Sequence, residues 1–311
     1  YGNGLQAKVG SVTLPAVQDT SVVTTGLGFA PNAILFATAL NAYSAGGNSQ
    51  TDTCSLGVAN VNGGTITQSS IGCLDRDGGG TTQTAATTYM ASNRFAVRLS
   101  ITAGGTGSLV SAADLTSFDA DGFTAFTRSG GSNIVCQYLA LNTGTQRTWV
   151  GNPALTTSST GDKPITSPGW RPNSLFMCGS AITTLDTQRD TSEATHTSIG
   201  AARVGSEASA AYQYRDAVAT TATRCLVNSK LASVIDDTGG TLWNGTLTSF
   251  DSTGFTVNIG SASASDCNVW AFAIEEPQIV ATDTEQISDA AILTVTIQRR
   301  VVAETENISD A

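Results

Sequence analysis

Two sequence motifs occur twice in this chain, in the same order. The segment LTSFDADGFT at residues 115–124 returns as LTSFDSTGFT at 247–256, with eight of ten residues identical. Upstream, GFAPNA at residues 28–33 is matched by GWRPNS at 169–174. The offsets of 132 and 141 residues (247 − 115 and 169 − 28) indicate a duplicated domain whose second copy has shorter loops.

The duplication sets the predicted domain boundaries. Copy 1 is predicted to cover residues 5–143 and copy 2 residues 147–276, and each copy ends in an aromatic and aliphatic strand. The polar residues and glycine at 142–147 are typical of a short linker. Pro277 marks a second boundary, because proline cannot continue a central strand ladder. A smaller extension, 277–311, follows.

Residues that favour strands and turns dominate the composition. Charged residues make up 13% of the chain, against about 25% in typical globular proteins, and Gly, Thr, Ser and Ala fill the difference. Alternating apolar residues at 95–101 predict a half-buried strand, and the continuous apolar run at 33–37 predicts a strand covered on both faces. The sequence at 119–122 predicts a turn between two strands. We therefore expect an all-β protein of two tandem β-sandwiches, of jelly-roll type.

A shorter repeat occupies the extension. TEQISDA at residues 284–290 returns as TENISDA at 305–311, a period of 21 residues (305 − 284). Between them Leu293, Val295 and Ile297 alternate with polar residues, which predicts one exposed-edge strand per repeat. A lone strand can neither bury its apolar face nor satisfy its backbone. These three residues are therefore predicted to form an oligomer interface, with a neighbouring repeat or with another chain.

The negative charge of the chain argues against two classes of partner. The net charge is −10 and the pI is about 4.4, so the surface would repel the phosphate backbone of a nucleic acid. An anionic membrane surface is disfavoured for the same reason. No run of about 18 or more apolar residues occurs in the sequence, so no membrane insertion is expected.

The sequence carries no recognisable catalytic signature. His196 is the single histidine, and its serine and threonine neighbours favour a surface residue over a catalytic base. Acid pairs such as Asp119 and Asp121 could serve a glycosidase or bind Ca²⁺, but they lie beside glycine, where aspartate favours turns. In copy 2, Thr253 replaces Asp121. No catalytic residue, cofactor or metal site is therefore predicted.

Aromatic and cysteine side chains complete the set of candidates. Trp170 and Trp270 fall at positions that behave as core, whereas Trp243 and Tyr43, near asparagine and glycine, are candidates for glycan binding through stacking on sugar faces. The six cysteines form no C-x-x-C pair. We expect them to be buried thiols that act as small apolar side chains.

The order of these motifs resembles that of a known class of repeat. G-F/W-x-P-N before an apolar strand, then S-F-D-x-x-G-F-T and an aromatic closing strand, in tandem, is similar to β-sandwich repeats of tailed-bacteriophage virion proteins. Those repeats occur in tail, fibre and capsid-decoration proteins. The T-E-x-I-S-D-A repeat is similar to strand repeats that extend phage and cell-surface proteins. The resemblance implies a non-enzymatic structural protein on the virion surface, assembled in the host cytoplasm as a homo-trimer with other virion proteins.

Two other functions remain open from the sequence. A secreted adhesin or surface-layer module, extracellular or at the cell surface, would bind glycans, including those of a host surface, through its loops. A glycoside hydrolase or lyase would need an acidic cleft between the two sandwiches.

Overall fold

The described chain consists of β-strands and their connections. The computed structural model describes residues 4–39, 51–76, 85–101, 107–155, 159–190, 195–214, 223–236, 240–262 and 267–277. These residues contain 21 strands and no helix. They belong to one compact unit, Tyr1–Pro277.

Ten strands lie in the predicted range of copy 1 and eleven in that of copy 2. The strands of copy 1 are β1 (Gln6–Leu14), β2 (Thr20–Thr24), β3 (Ala33–Ala39), β4 (Thr51–Asn62), β5 (Thr65–Arg76), β6 (Ala85–Ala91), β7 (Ala96–Ile101), β8 (Gly107–Asp119), β9 (Gly122–Ser129) and β10 (Ile134–Asn142). Those of copy 2 are β11 (Thr148–Gly151), β12 (Gly161–Ile165), β13 (Pro172–Ser180), β14 (Gln188–Asp190), β15 (Thr195–Arg203), β16 (Ser206–Tyr214), β17 (Thr223–Asn228), β18 (Ala232–Ile235), β19 (Thr241–Asp251), β20 (Gly254–Ser261) and β21 (Asn268–Glu275).

Each copy is a sandwich of one six-stranded and one four-stranded antiparallel sheet. In copy 1 the order β1-β10-β3-β4-β5-β6 packs on β2-β9-β8-β7, and in copy 2 β11-β21-β13-β15-β16-β17 packs on β12-β20-β19-β18. Apart from β14, the strands of the two copies correspond one for one. In each copy the first strand pairs with the last and the second with the last but one, as in a jelly roll, and the other strands form two meanders. The prediction of an all-β sandwich architecture is confirmed.

A further apolar core lies between the two sandwiches. Outward-facing residues of both six-stranded sheets form it, with Ala33, Val58, Ile71 and Met90 from copy 1 and Val150, Cys178, Trp270 and Phe272 from copy 2, together with Ile182 from the connection after β13. We call this set the shared core. It explains the continuous apolar run in β3, because Ile34 and Phe36 pack inside copy 1 while Ala33 and Leu35 reach the shared core.

Copy 2 also adds a strand to the sheet of copy 1. β14 pairs with the edge of β6, where Gln188 lies opposite Tyr89 and Asp190 opposite Thr87. The preceding turn is held by Asp186, whose backbone N–H donates to the Met90 carbonyl at 2.8 Å. The two copies are therefore joined by a strand ladder as well as by the shared core.

The connection between the copies is fixed to the end of the last strand. The backbone N–H of Arg147 donates to the Glu275 carboxylate at 2.9 Å, and the guanidinium Nε donates to the same oxygen at 3.0 Å. Glu275 is 4% exposed. These hydrogen bonds from Arg147 hold the pKa of Glu275 below its usual value.

We expect acid to weaken the fold through Glu275. Because its folded pKa is depressed, Glu275 adds stability above the pKa of an unfolded glutamate, about 4.3, and this stability is lost as pH falls through the folded pKa. Glu275→Gln should lower the free energy of unfolding at neutral pH by about 2 kcal/mol and flatten its pH dependence below about pH 4.3. Glu276→Gln is the control, since its ion pair with Arg171 is exposed on both sides and is worth under about 1 kcal/mol. Equal losses in the two variants, measured by urea titration at several pH values, would contradict the assignment.

Candidate functional site

The turn in the repeated S-F-D-x-x-G-F-T motif is held by hydrogen bonds around its aspartate. In copy 1 the hydroxyls of Ser117 and Thr124 donate to the two carboxylate oxygens of Asp119, at 2.7 and 2.8 Å. Asp251 receives the same pair of bonds in copy 2, from the motif serine and threonine, at 2.6 and 2.7 Å. The duplicated motif therefore forms a connection between two strands, and both carboxylate oxygens of each motif aspartate accept a hydrogen bond from within the motif.

Asp121, the second acid of the pair that was considered for Ca²⁺ binding or glycosidase chemistry, binds the backbone of a neighbouring loop. Its carboxylate accepts hydrogen bonds from the N–H groups of Gly28 and Gly26, at 2.5 and 2.9 Å. These bonds lower the pKa of Asp121, the one from Gly28 most. In copy 2 a backbone contact takes the place of this side-chain contact. The carbonyl of Thr253 accepts a hydrogen bond from the N–H of Gly169 at 2.9 Å. The acid pair is used for loop structure in copy 1.

His196 is buried, so the expectation of a surface residue is wrong. It lies on β15 at 4% exposure, directly opposite Gln213 of β16, which is 0% exposed. Both side chains belong to the inner face of the sheet, which also carries Ser198 and Ala202. This end of copy 2 therefore has a polar interior, a feature that the Thr-His-Thr sequence did not reveal.

The aromatic predictions have mixed outcomes. Trp170 and Trp270 are 3% and 0% exposed, as expected of core residues. Trp243 is also 0% exposed and packs in the core of copy 2, so its proposed role in glycan stacking is wrong: a sugar cannot reach its face. Tyr43 lies outside the described residues.

The predicted oligomer interface also lies outside the described residues. Leu293, Val295 and Ile297 belong to the extension, of which the structure describes nothing beyond Pro277. Their proposed role in pairing between chains stays a prediction.

The expectation of buried cysteines holds for three of the six residues. Cys136, Cys178 and Cys267 are buried, and burial raises the pKa of Cys136 to about 12. Cys54 and Cys225 are exposed and Cys73 is partly exposed, contrary to the expectation. Cys54 lies opposite Cys73 in the β4–β5 ladder, with the two sulfur atoms 2.8 Å apart.

An apolar row crosses the outer face of copy 1 and ends in the open. Val9 of β1 lies opposite Leu139 of β10, Leu139 lies opposite Leu35 of β3, and Leu35 lies opposite Val58 of β4. The exposed fraction falls along the row, from 74% at Val9 and 36% at Leu139 to 0% at Val58. We call Val9, Leu139 and Leu35 the open row. It is continuous with the shared core, which covers Val58.

A groove of about 290 Å³ runs along the open row. Its apolar lining includes Val9, Leu35, Leu56, Leu139, Phe176 and Trp270. Phe176 and Trp270 come from copy 2, so the groove forms only because the two copies are docked. Another exposed apolar residue of β10, Val135 at 42% exposure, lies on the same face. An apolar surface of this kind, continuous with a buried interface, is typical of a protein–protein contact site.

No other type of site emerges from the described residues. They contain no group of three or more histidine, cysteine, aspartate or glutamate residues placed to hold a metal ion. Within the described ranges no helix has the length and apolarity to cross a bilayer. No family model, curated protein or solved structure matches the chain.

Proposed function

We propose that this protein is a non-enzymatic structural component of a larger assembly, and that it acts by self-association. The open row carries the proposal. Three aligned apolar side chains lead from a fully buried interface to an edge strand at which Val9 is 74% exposed. An exposed apolar surface that continues a buried interface is typical of a site that another protein covers.

The assembly that fits best is the virion of a tailed bacteriophage, as a capsid-decorating, tail or fibre component. The tandem β-sandwich repeats, low charge density and motif order support this choice. The hydrogen bonds around Asp119 and Asp251 support it too, because they give the duplicated motif a structural role. The competing glycan-binding proposal relied on Trp243 and Tyr43, and Trp243 is buried.

Two measurements on the full chain test the proposed function. Sedimentation equilibrium should give a mass above the 31.8 kDa of one chain, because burial of the open row favours association. Immunogold microscopy with antibody against residues 1–276 should label heads, tails or fibres of virions at regular positions. A monomer at every concentration would refute self-association, and gold on cell envelopes beside bare virions would favour the adhesin.

A further inference from the structure

The open row of copy 1 has a counterpart in copy 2 that is covered. Val150, Phe272 and Phe176 face one another on β11, β21 and β13, as the open row does on β1, β10 and β3. Val150 and Phe272 are 3% and 4% exposed, because copy 1 packs on them. Val9, which occupies the position of Val150, is 74% exposed. In copy 2 this surface is therefore largely covered, whereas in copy 1 only the Leu35 end of the row reaches the shared core and Val9 and Leu139 stay exposed.

The other side of the interface shows the opposite pattern. Copy 1 receives copy 2 on strands β4, β5 and β6, through Val58, Ile71 and Met90, which are 0%, 2% and 0% exposed. The registers of β15, β16 and β17 place the corresponding surface of copy 2 at Ala201, Ala210 and Val227. We call these three residues the open receiving surface. Ala201 is exposed, Ala210 is partly exposed and Val227 is 72% exposed.

We infer that a second copy of this chain binds head to tail, its open row packing on the open receiving surface of the first. This inference rests on the proposed self-association and names its partner and geometry. The contact within the chain joins two different surfaces, and each chain also presents an exposed example of each, at Val9 and Leu139 and at Ala201 and Val227. An interface between unlike surfaces can repeat, and it gives a ring if the rotation closes and a filament if it does not.

The residues of the two open surfaces indicate a weaker contact than the one within the chain. In the open row, Leu139 and Leu35 stand where copy 2 has Phe272 and Phe176. In the receiving surface, Ala201 and Ala210 stand where copy 1 has Val58 and Ile71. Both surfaces have lost bulk, so two sheets could approach closely while burying less apolar area. We therefore expect the association between chains to be reversible, whereas the contact between the two copies inside each chain persists.

Complementation between two variants of the full chain tests the inference. Val9→Asp places a charge in the open row, and Val227→Asp places one in the receiving surface. Each should raise the dissociation constant at least about 30-fold, the size of an interface hot spot, and leave monomers in sedimentation at micromolar concentration. An equimolar mixture should form a 1:1 dimer and nothing larger, because each variant retains the surface that the other has lost.

The outcomes of this experiment separate the head-to-tail geometry from self-association itself. If Val227→Asp associates like the wild type while Val9→Asp is monomeric, two open rows meet each other, and the head-to-tail geometry is overturned although self-association stands. Monomers in the mixture overturn it as well, as does wild-type association of both variants. A monomeric wild type overturns the proposed function itself. Val23→Asp is the matched control: Val23 is 62% exposed on β2, away from both surfaces, and should change nothing.

Discussion

Trp270→Ala should lower the free energy of unfolding by about 3–5 kcal/mol, because removal of a large buried aromatic side chain leaves a cavity. Trp270 is 0% exposed in the shared core, and its ring lies 5.6 Å from that of Phe176. The cavity would be lined by residues of both copies, because the shared core contains residues of both. The variant should therefore weaken copy 1 as well as copy 2, although residue 270 belongs to copy 2.

Hydrogen exchange read strand by strand gives the decisive measurement. In Trp270→Ala, the amides of β4 and β5 in copy 1 should exchange faster than in the wild type, because Val58 and Ile71 lose their cover. Trp243→Ala is the matched control, since Trp243 is equally buried but packs inside copy 2 alone. It should accelerate exchange in copy 2 and leave β4 and β5 protected. Wild-type protection of copy 1 in Trp270→Ala would mean that the copies are stabilised independently.

The sequence predicted the strands well because strand patterns are local. The turn at 119–122 joins β8 to β9 as expected, and the continuous apolar run in β3 is covered on both faces. What covers the outer face could not be predicted, because docking of two sheets depends on residues far apart in the chain. The asymmetry between Val9 and Val150 follows from that docking, and no local pattern distinguishes these two valines.

The errors at Trp243 and His196 have a common origin. Both residues have polar or small neighbours, which indicated exposure at the surface, yet both lie on the inner faces of strands. Gly245, two residues after Trp243, leaves room for its neighbours: a Cβ there would lie 2.9 Å from Cγ1 of Val257 and 3.1 Å from the indole ring. Gly57 and Gly200 were missed for a similar reason. At each, a Cβ would lie 1.7 Å from the backbone carbonyl oxygen of a residue just before a strand of the opposite sheet, a requirement that no motif in the sequence reports.

Gly122→Ala and Gly254→Ala should each destabilise the protein by about 3 kcal/mol, the upper part of the range for overpacking. A Cβ at Gly122 would lie 1.8 Å from the carbonyl oxygen of Thr24, and one at Gly254 would lie 1.8 Å from that of Ile165. Both obstacles are backbone atoms at the end of a paired strand, β2 or β12, so no side-chain rotation relieves them. The repeated glycine is therefore required by the close approach of a neighbouring strand.

A control for this pair of variants lies in the same turn of copy 2. Ser252→Ala changes an exposed residue to the one that copy 1 already has at Ala120, so it should alter stability by less than about 0.5 kcal/mol. Urea titration of the three variants gives the comparison. If Gly122→Ala were as stable as Ser252→Ala, the β2 strand must be able to move away from the turn. The motif glycine would then need an explanation outside the fold.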